Sequence, residues 1–305
     1  MRRVTLKQMR IAAAAGRLGS FTAAGEAVGL TPSAVSMQMK TLAEEVGLPL
    51  FEFAEGRLLL TKAGEEVLAA AARIEAVLTD CDQAIAGLRD PGRGRVVVGV
   101  VSTAKYFAPQ ALGAFHKAYP LVELKLLIGN RNDIIDGLRR REIDLAIMGR
   151  PPEGMEVDLV KLADHPHVII AAPDHPLRQR RQLAPSDLAP EIFLVRELGS
   201  GTRMLMEQFF AKAGVIPRLG MEISSNETIK QAVMAGLGIA FISRHTVGHE
   251  IADGRLVTLD VVGLPVVRQW YAVHLLDRTL LPAAQALQAL LREHMETLFP
   301  SGARP

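Results

Sequence analysis

Ser20-Phe21-Thr22-Ala23-Ala24, followed by Thr31-Pro32-Ser33-Ala34-Val35-Ser36-Met37-Gln38-Met39-Lys40, reads as two short helices joined by a tight turn. Thr31 is placed to cap the second helix with its hydroxyl, Pro32 sits where a missing N–H costs nothing, and Gly47 lies just past the end. Within that helix Val35, Met39, Leu42 and Val46 recur at helical spacing and face a core, leaving Ser33, Ser36, Met37, Lys40 and Thr41 outside. Short polar side chains with one lysine suit a helix laid in the major groove of DNA, and Thr31, Ser33, Ser36, Met37, Gln38 and Lys40 are the expected contacts. The competing reading is a small helical hairpin whose outer face is polar only because water covers it.

The flanking residues extend the first reading. A helix from Leu6 to about Ala15 offers Leu6, Met9 and Ala13 as an inward stripe, and Ala23, Ala24 and Ala27 permit close packing, so three helices share a core. Leu50-Phe51 and Arg57-Leu58-Leu59-Leu60 flank Glu55-Gly56, which predicts a β-hairpin wing with Arg57 placed to touch a phosphate. Residues 1–60 carry seven basic side chains (Arg2, Arg3, Lys7, Arg10, Arg17, Lys40, Arg57) against five acidic ones (Glu26, Glu44, Glu45, Glu52, Glu55), a net of +2. So mild a charge neutralises few phosphates, which implies several copies of the chain on one DNA site.

A means of pairing follows. From Thr61, an expected cap, to Arg89 the chain is alanine-rich and free of proline, and Val67, Ala71, Ile74, Leu78, Cys81, Ile85 and Leu88 are spaced 4, 3, 4, 3, 4, 3. Such a heptad seam predicts a helix of roughly 40 Å that packs along a partner helix. The alternative is an amphipathic helix lying on its own domain. Cys81 reads as a small apolar member of the seam, and Pro91-Gly92 ends the helix. The expected divisions are a DNA-binding domain over residues 1–60, a dimerisation helix over 61–90 and an effector-binding domain over 91–305.

From Arg93 onward strands and helices alternate, so the fold class is α/β behind an all-α, winged-helix first domain. Strands are predicted at Val96–Val101, Leu121–Ile128, Asp144–Met148, Val168–Ala172, Ile192–Val195, Leu219–Ile223 and Ile239–Ile242, with helices between them. A strand near Gln269–His274 and a helix from Pro282 to Leu298 are expected to return to the first lobe. That gives two periplasmic-binding-protein-like lobes, about 91–162 with 266–305 and about 163–265, around a cleft suited to a ligand. The 305 residues are 49% apolar with a single cysteine, so the core is ample and an internal disulfide framework is excluded. No apolar run approaches the roughly 18 residues that span a bilayer and the first residues lack a secretory apolar region; the expected compartment is the cytoplasm, with no membrane partner.

Gly199-Ser200-Gly201-Thr202-Arg203 follows a strand and opens a helix, so backbone N–H groups, two hydroxyls and a guanidinium could converge on one anion. Ser102 and Thr103 end the first strand, and Asn130, Arg131 and Arg150 end the next two, so loops of both lobes could face each other. The plainer reading has the hydroxyls capping helices and the arginines in water. No metal site is expected: His245 and His249 are four apart beside Glu250 but lack a third ligand at fixed spacing, while His165, His167 and His175 lie among prolines and read as loop residues. An enzyme with Ser200 or Thr202 as nucleophile lacks a nucleophile elbow, a Walker loop or a paired carboxylate.

These residues carry a resemblance across essentially the whole chain. Phe21-Thr22-Ala23-Ala24, Ala34-Val35-Ser36, Leu50-Phe51-Glu52, Leu60-Thr61-Lys62-Ala63-Gly64 and Ala235-Gly236-Leu237-Gly238-Ile239-Ala240 resemble the LysR-type transcriptional regulators. Ser102-Thr103-Ala104-Lys105-Tyr106-Phe107, Gly129-Asn130-Arg131, Ile147-Met148-Gly149-Arg150-Pro151-Pro152 and Gly199-Ser200-Gly201-Thr202-Arg203 resemble the subgroup controlling Calvin-cycle carbon-fixation operons. Met37 and Phe53 depart from the family, many of whose members carry arginine there. The resemblance implies a DNA-binding regulator without a cofactor that answers a small effector: a sugar phosphate such as ribulose bisphosphate, phosphoenolpyruvate or NADPH. It places effector contacts at Ser102, Thr103, Asn130, Arg131, Arg150, Ser200, Gly201, Thr202 and Arg203. Promoter DNA, a homodimer assembling to a homotetramer that bends it, and RNA polymerase are the implied partners. Regulation of an aromatic or amino-acid catabolic operon remains the alternative.

Overall fold

Thr5, Ser20 and Thr31 each accept a hydrogen bond from the N–H three residues on, at 3.2, 3.3 and 3.3 Å, and each opens a helix. The helices are α1 (Leu6–Leu18), α2 (Phe21–Val28) and α3 (Pro32–Val46). Gly29 and Gly47, with φ of +68° and +82°, stop α2 and α3 in the left-handed conformation that glycine adopts without strain. The computed structural model describes residues 3–54, 57–89 and 93–294, and two compact units divide between Asp82 and Gln83.

In the first unit α1, α2 and α3 enclose Met9, Ile11, Ala12, Ala15, Ala24, Val35, Met39 and Leu42. The inward face of α1 differs from the sequence expectation at Leu6, which is 44% exposed. In the first helical turn a side chain leans back beyond the helix end, where little protein remains to pack on. The wing forms as an antiparallel pair, β1 (Phe51–Ala54) and β2 (Arg57–Leu60), and the edge of the Phe21 ring meets Phe51 at 5.5 Å. The Glu55-Gly56 turn, the side chains of Arg57 and Leu88, and Pro91-Gly92 lie outside the described residues.

Helix α4 (Lys62–Arg89) starts on a clamp: the Thr61 hydroxyl donates to the Pro49 carbonyl at 2.6 Å and accepts from the Gly64 N–H at 3.1 Å. Val67 and Ala71 are buried in the core of the first unit and Ile74 packs against it, so the start of the heptad seam faces its own domain. Arg10 of α1 grips Glu75 through two hydrogen bonds of 2.6 and 3.2 Å on the same stretch. Further along Leu78 is half-buried, while Cys81 and Ile85 are exposed in the single chain. The two units divide inside α4, between Asp82 and Gln83.

The second unit is built on one seven-stranded sheet. Parallel strands β3 (Gly94–Val101), β4 (Val122–Gly129) and β5 (Leu145–Met148) alternate with α5 (Ala108–Ala118) and α6 (Arg131–Arg139). Val96, Val98 and Val100 pack under α5 and the last helix, whereas Val97 faces Ile134 and Leu138 of α6, so this part of the sheet is buried on both sides. Strand β6 (Val157–Ala171) then runs for 15 residues from this lobe into the next. There β7 (Ile192–Val195), α7 (Gly201–Lys212), β8 (Arg218–Glu222), α8 (Asn226–Met234), β9 (Ala240–Ser243), α9 (Gly248–Ala252) and β10 (Val257–Thr258) complete the second lobe. Strand β11 (Val266–Leu275) returns antiparallel to β6, and α10 (Pro282–His294) closes the first lobe; the predicted continuation to Leu298 lies outside the described residues. Among the described residues no helix is long and apolar enough to cross a membrane.

A Cβ on Gly64 would stand 2.1 Å from the carbonyl oxygen of Leu50, a backbone atom that cannot step aside. Gly64→Ala is expected to destabilise the first unit by about 1–3 kcal/mol, read as a lower urea midpoint. An unchanged midpoint would remove the clamp from this account.

Candidate functional site

Two surfaces fit the expected roles, one in each unit. On α3 the side chains of Thr31, Ser33, Ser36, Met37, Lys40 and Thr41 are exposed and Gln38 is half-buried, opposite the buried Val35, Met39 and Leu42. Met37 is 62% exposed, an apolar group held in water by a helix otherwise firmly seated, which suits contact with a thymine methyl. The Thr31 and Ser33 hydroxyls lie 3.1 Å apart, and Thr41 turns its hydroxyl to the Met37 carbonyl at 3.1 Å. Phe53 is exposed on the wing, its ring 6.2 Å from that of Phe21.

The second surface is a cleft between the lobes of the second unit, partly open to solvent. The carboxyl ends of β3, β4 and β5 deliver Ser102, Thr103, Asn130, Arg131 and Arg150 to it, and the start of α7 delivers Ser200, Gly201 and Thr202. Asn130 caps α6, its side-chain oxygen accepting from the Asp133 N–H at 3.0 Å. The hydroxyls of Thr103, Ser200 and Thr202 belong to buried residues and make no hydrogen bond among the described residues. Ser200 sits at the N-cap of α7 without capping it, so the hydroxyl and the unpaired N–H groups of the first turn remain open to an anion.

Arg203 is not a cleft residue. It leaves α7 on the other side, donating to the Arg196 carbonyl at 3.0 Å and to Glu207 at 3.0 Å and pairing with Glu222. Its place is taken by three groups that the sequence reading missed: Arg196, Arg268 and the histidines of β6. Arg196 directly follows β7, the same strand-end position that singled out its neighbours. It bridges the lobes, donating to Ser102 Oγ at 3.0 Å and to Asn226 Oδ1 at 2.6 Å, with Glu197 at 2.8 Å. His165 and His167 are not loop residues: they sit on β6, 4% and 3% exposed, because Pro166 is accommodated within the strand. His175 does lie in a loop, where its Nδ1 accepts from the Leu177 N–H at 3.3 Å.

The charge of the cleft is one-sided. Four arginines line it and, among the described residues, no acidic side chain does. Arg150 pairs with Glu153 outside, whereas Arg131 donates only to the Pro151 carbonyl at 2.9 Å and Arg268 only to Gln208 at 2.8 Å. Burial, and then the charge of Arg150, lowers the proton affinity of both Arg131 and Arg268. Cations that disfavour one another in a partly dry cleft are poised for an anion. Neither Ser200 nor Thr202 hydrogen-bonds a histidine, and Ser243, which does, is fully buried, so the cleft holds no activated nucleophile. Among the described residues no cluster of three or more metal-binding side chains is present; His245 is buried, accepting from Trp270 Nε1 at 3.0 Å, and His249 is exposed.

Burial holds His165 well below the usual imidazole range, His167 down to about 3 and His245 down to about 4. Each remains neutral in the folded chain while its unfolded counterpart takes a proton below about pH 6.5, so stability is full above that pH and is lost as pH falls toward the folded values. Each histidine contributes at most about 1.4 kcal/mol per pH unit in that window. The second unit is expected to melt at a lower temperature at pH 5.5 than at pH 7; an equal or higher melting temperature would refute the burial argument.

Comparison with known proteins adds to this geometry. The bacterial regulatory helix-turn-helix protein, lysR family, matches residues 6–65, and the LysR substrate binding domain matches residues 89–296. The HTH-type transcriptional regulator CbbR of Xanthobacter flavus is 54% identical over 298 residues, 97% of this chain and 90% of that protein. The RuBisCO operon transcriptional regulator of Acidithiobacillus ferrooxidans is 43% identical over 303 residues, 99% of this chain and 96% of that protein. Among solved structures, the Synechocystis PCC6803 CcmR regulatory domain in complex with 2-PG aligns with a TM-score of 0.63 and 37% identity, covering 65% of this chain and 96% of that one.

Proposed function

The chain belongs to the LysR family of transcriptional regulators, and from that premise we propose that it activates a carbon-fixation (RuBisCO) operon in answer to a small phosphorylated effector held between its lobes. The name of the Acidithiobacillus relative, a RuBisCO operon transcriptional regulator, supports the operon. The observation that carries the effector class is the pairing of Arg131 and Arg268, neither matched by a carboxylate, with the free hydroxyls of Thr103, Ser200 and Thr202. A phosphate offers enough acceptor oxygens to meet guanidinium, hydroxyl and first-turn N–H groups together. The Synechocystis CcmR complex with 2-PG, at 37% identity, supports the same class. Ribulose bisphosphate, phosphoenolpyruvate and NADPH are the candidates.

In this reading α3 and the wing hold promoter DNA, and copies of the chain pair through the exposed part of α4 around Cys81 and Ile85, then assemble as a tetramer. The effector changes the angle between the lobes, and through it the bend of the DNA and the access of RNA polymerase, to the extent that it prefers one arrangement.

Calorimetric titration of the full chain with the three phosphorylated candidates and with benzoate tests the effector class. Saturable binding of a phosphorylated compound, weakened at least about tenfold in Arg131→Ala, is expected; binding of benzoate alone would move the protein to a catabolic regulon. Lys40→Ala is expected to leave that affinity unchanged and to reduce the salt slope of promoter binding by about 1. Equal loss of both affinities in both variants would overturn the division of labour.

A further inference from the structure

Arginines of the second unit differ in what holds them. Outside the cleft Arg139, Arg141, Arg180, Arg203 and Arg278 each pair with a carboxylate. Within it Arg150 pairs with Glu153, and Arg196 is held by both oxygens of Glu197, its Nε and Nη2 each at 2.8 Å. Arg131 and Arg268 are the exceptions: among the described residues each donates only to an uncharged oxygen, the Pro151 carbonyl at 2.9 Å and the Gln208 side-chain amide at 2.8 Å. A guanidinium needs an acceptor to fix its planar fork, and the charge of that acceptor decides what is left for a ligand. A carboxylate fixes the fork and cancels the charge; an amide oxygen fixes it and cancels nothing.

Helix α7 shows the two cases at successive positions. Glu207 accepts from Arg203 Nε at 3.0 Å, four residues back on the same helix, and that arginine is tied to the protein away from the cleft. Gln208, the next residue, lines the cleft and turns its amide oxygen to Arg268 of β11. Gln208 is exposed, so burial does not forbid a charge at its position, and glutamate has the same shape and reach. The neutral partner leaves Arg268 uncompensated: burial and then the charge of Arg150 act against its cation, and among the described residues no acidic side chain lines the cleft beside it. A cation left so lowers stability in exchange for binding.

We propose that Gln208 is a positioning residue of the effector site: its amide oxygen fixes the Arg268 guanidinium without neutralising it, so that the full charge remains for the phosphate. The inference rests on the reading of the cleft as a site for a phosphorylated effector and names the residue that keeps that site cationic. A carboxylate at position 208 would make Arg268 a second Arg196, tied to the protein.

Calorimetry of full-length variants with ribulose bisphosphate, phosphoenolpyruvate and NADPH, and thermal melting without ligand near neutral pH, test it. Gln208→Glu keeps the shape and the acceptor and adds the charge. It is expected to weaken whichever compound binds at least about tenfold, and to raise the melting temperature by about 2 °C through the new pair with Arg268. Gln208→Met keeps the length without the acceptor and is expected to weaken binding only about threefold. Lys212 stands one turn beyond on α7 and could itself pair with the added carboxylate. Gln208→Glu is therefore repeated in an Arg268→Met background, where the rise in melting temperature is expected to disappear. A rise that persists without Arg268, or no rise at all, overturns the proposal. So does effector binding to Gln208→Glu within about twofold of the wild type, or a loss in Gln208→Met equal to that in Gln208→Glu. Should the wild type bind none of the three compounds, the effector class fails by itself, and the melting comparison still decides whether Gln208 leaves Arg268 uncompensated.

Discussion

The antiparallel pairing of β6 with β11 is the interaction on which the effector-binding unit depends. It runs from Val266 opposite His167 to Leu275 opposite Val157, so each strand contributes to both lobes. Leu162, Ala163, Trp270 and Ala272 enter the core of the first lobe, while Ile169 and Ala171 on one face and Val168 and Ile170 on the other enter the cores of the second. The register shift beside Trp270 falls where the strands pass between the lobes. Because these strands pass under the cleft, residues far apart in the chain meet there: Arg268 from β11, His165 from β6, and the strand ends of both lobes. A two-stranded crossing fixes what lines the floor and leaves the walls to the loops, an arrangement in which the lobes share a base and a ligand sees both.

What was legible in the sequence was what is decided locally. The helix-turn-helix could be read because caps, stop glycines and apolar spacing all lie within a few residues of one another, and Thr31, Pro32 and Gly47 act where they stand. Strand β6 was half missed because His165-Pro166-His167 carries a residue that lacks an N–H and two that are usually polar; only the pairing with β11 and β9 makes that run a strand. Arg203 and Arg196 exchanged roles for a related reason. A strand end or helix start names a neighbourhood, but which way a long side chain leaves it depends on partners elsewhere, here Glu222 for Arg203 and Ser102 with Asn226 for Arg196.

The heptad stripe of α4 shows a different limit. Spacing says that one face is apolar and not what covers it. Val67, Ala71 and Ile74 are covered by the chain's own helices, whereas Cys81 and Ile85 are open to solvent in the single chain. The stripe leaves the cover of its own domain where α1 runs out, as the bridge from Arg10 to Glu75 marks. The gaps of four and three are the same on either side of that point.

The cleft and the contact between its lobes are one problem in electrostatics. Arg196 reaches from the second lobe to Ser102 in the first, and Tyr106 of the first lobe hydrogen-bonds Glu227 at 3.4 Å, with the Lys230 Nζ 4.9 Å from its ring centre. These contacts hold the lobes together, while the charge of Arg150 acts against both Arg131 and Arg268 in the cleft. A ligand shifts the balance between arrangements of the lobes only to the extent that it binds one of them better than the other. Moving a two-state equilibrium from 1:99 to 99:1 takes about 5.5 kcal/mol of differential affinity. Hydrogen bonds to charged groups contribute about 1.5–3 kcal/mol each, so two to four of them, made in one arrangement and lost in the other, are enough. Under the proposed reading, Arg131, Arg268 and the first turn of α7 would supply that number to a small anion without help from apolar contact.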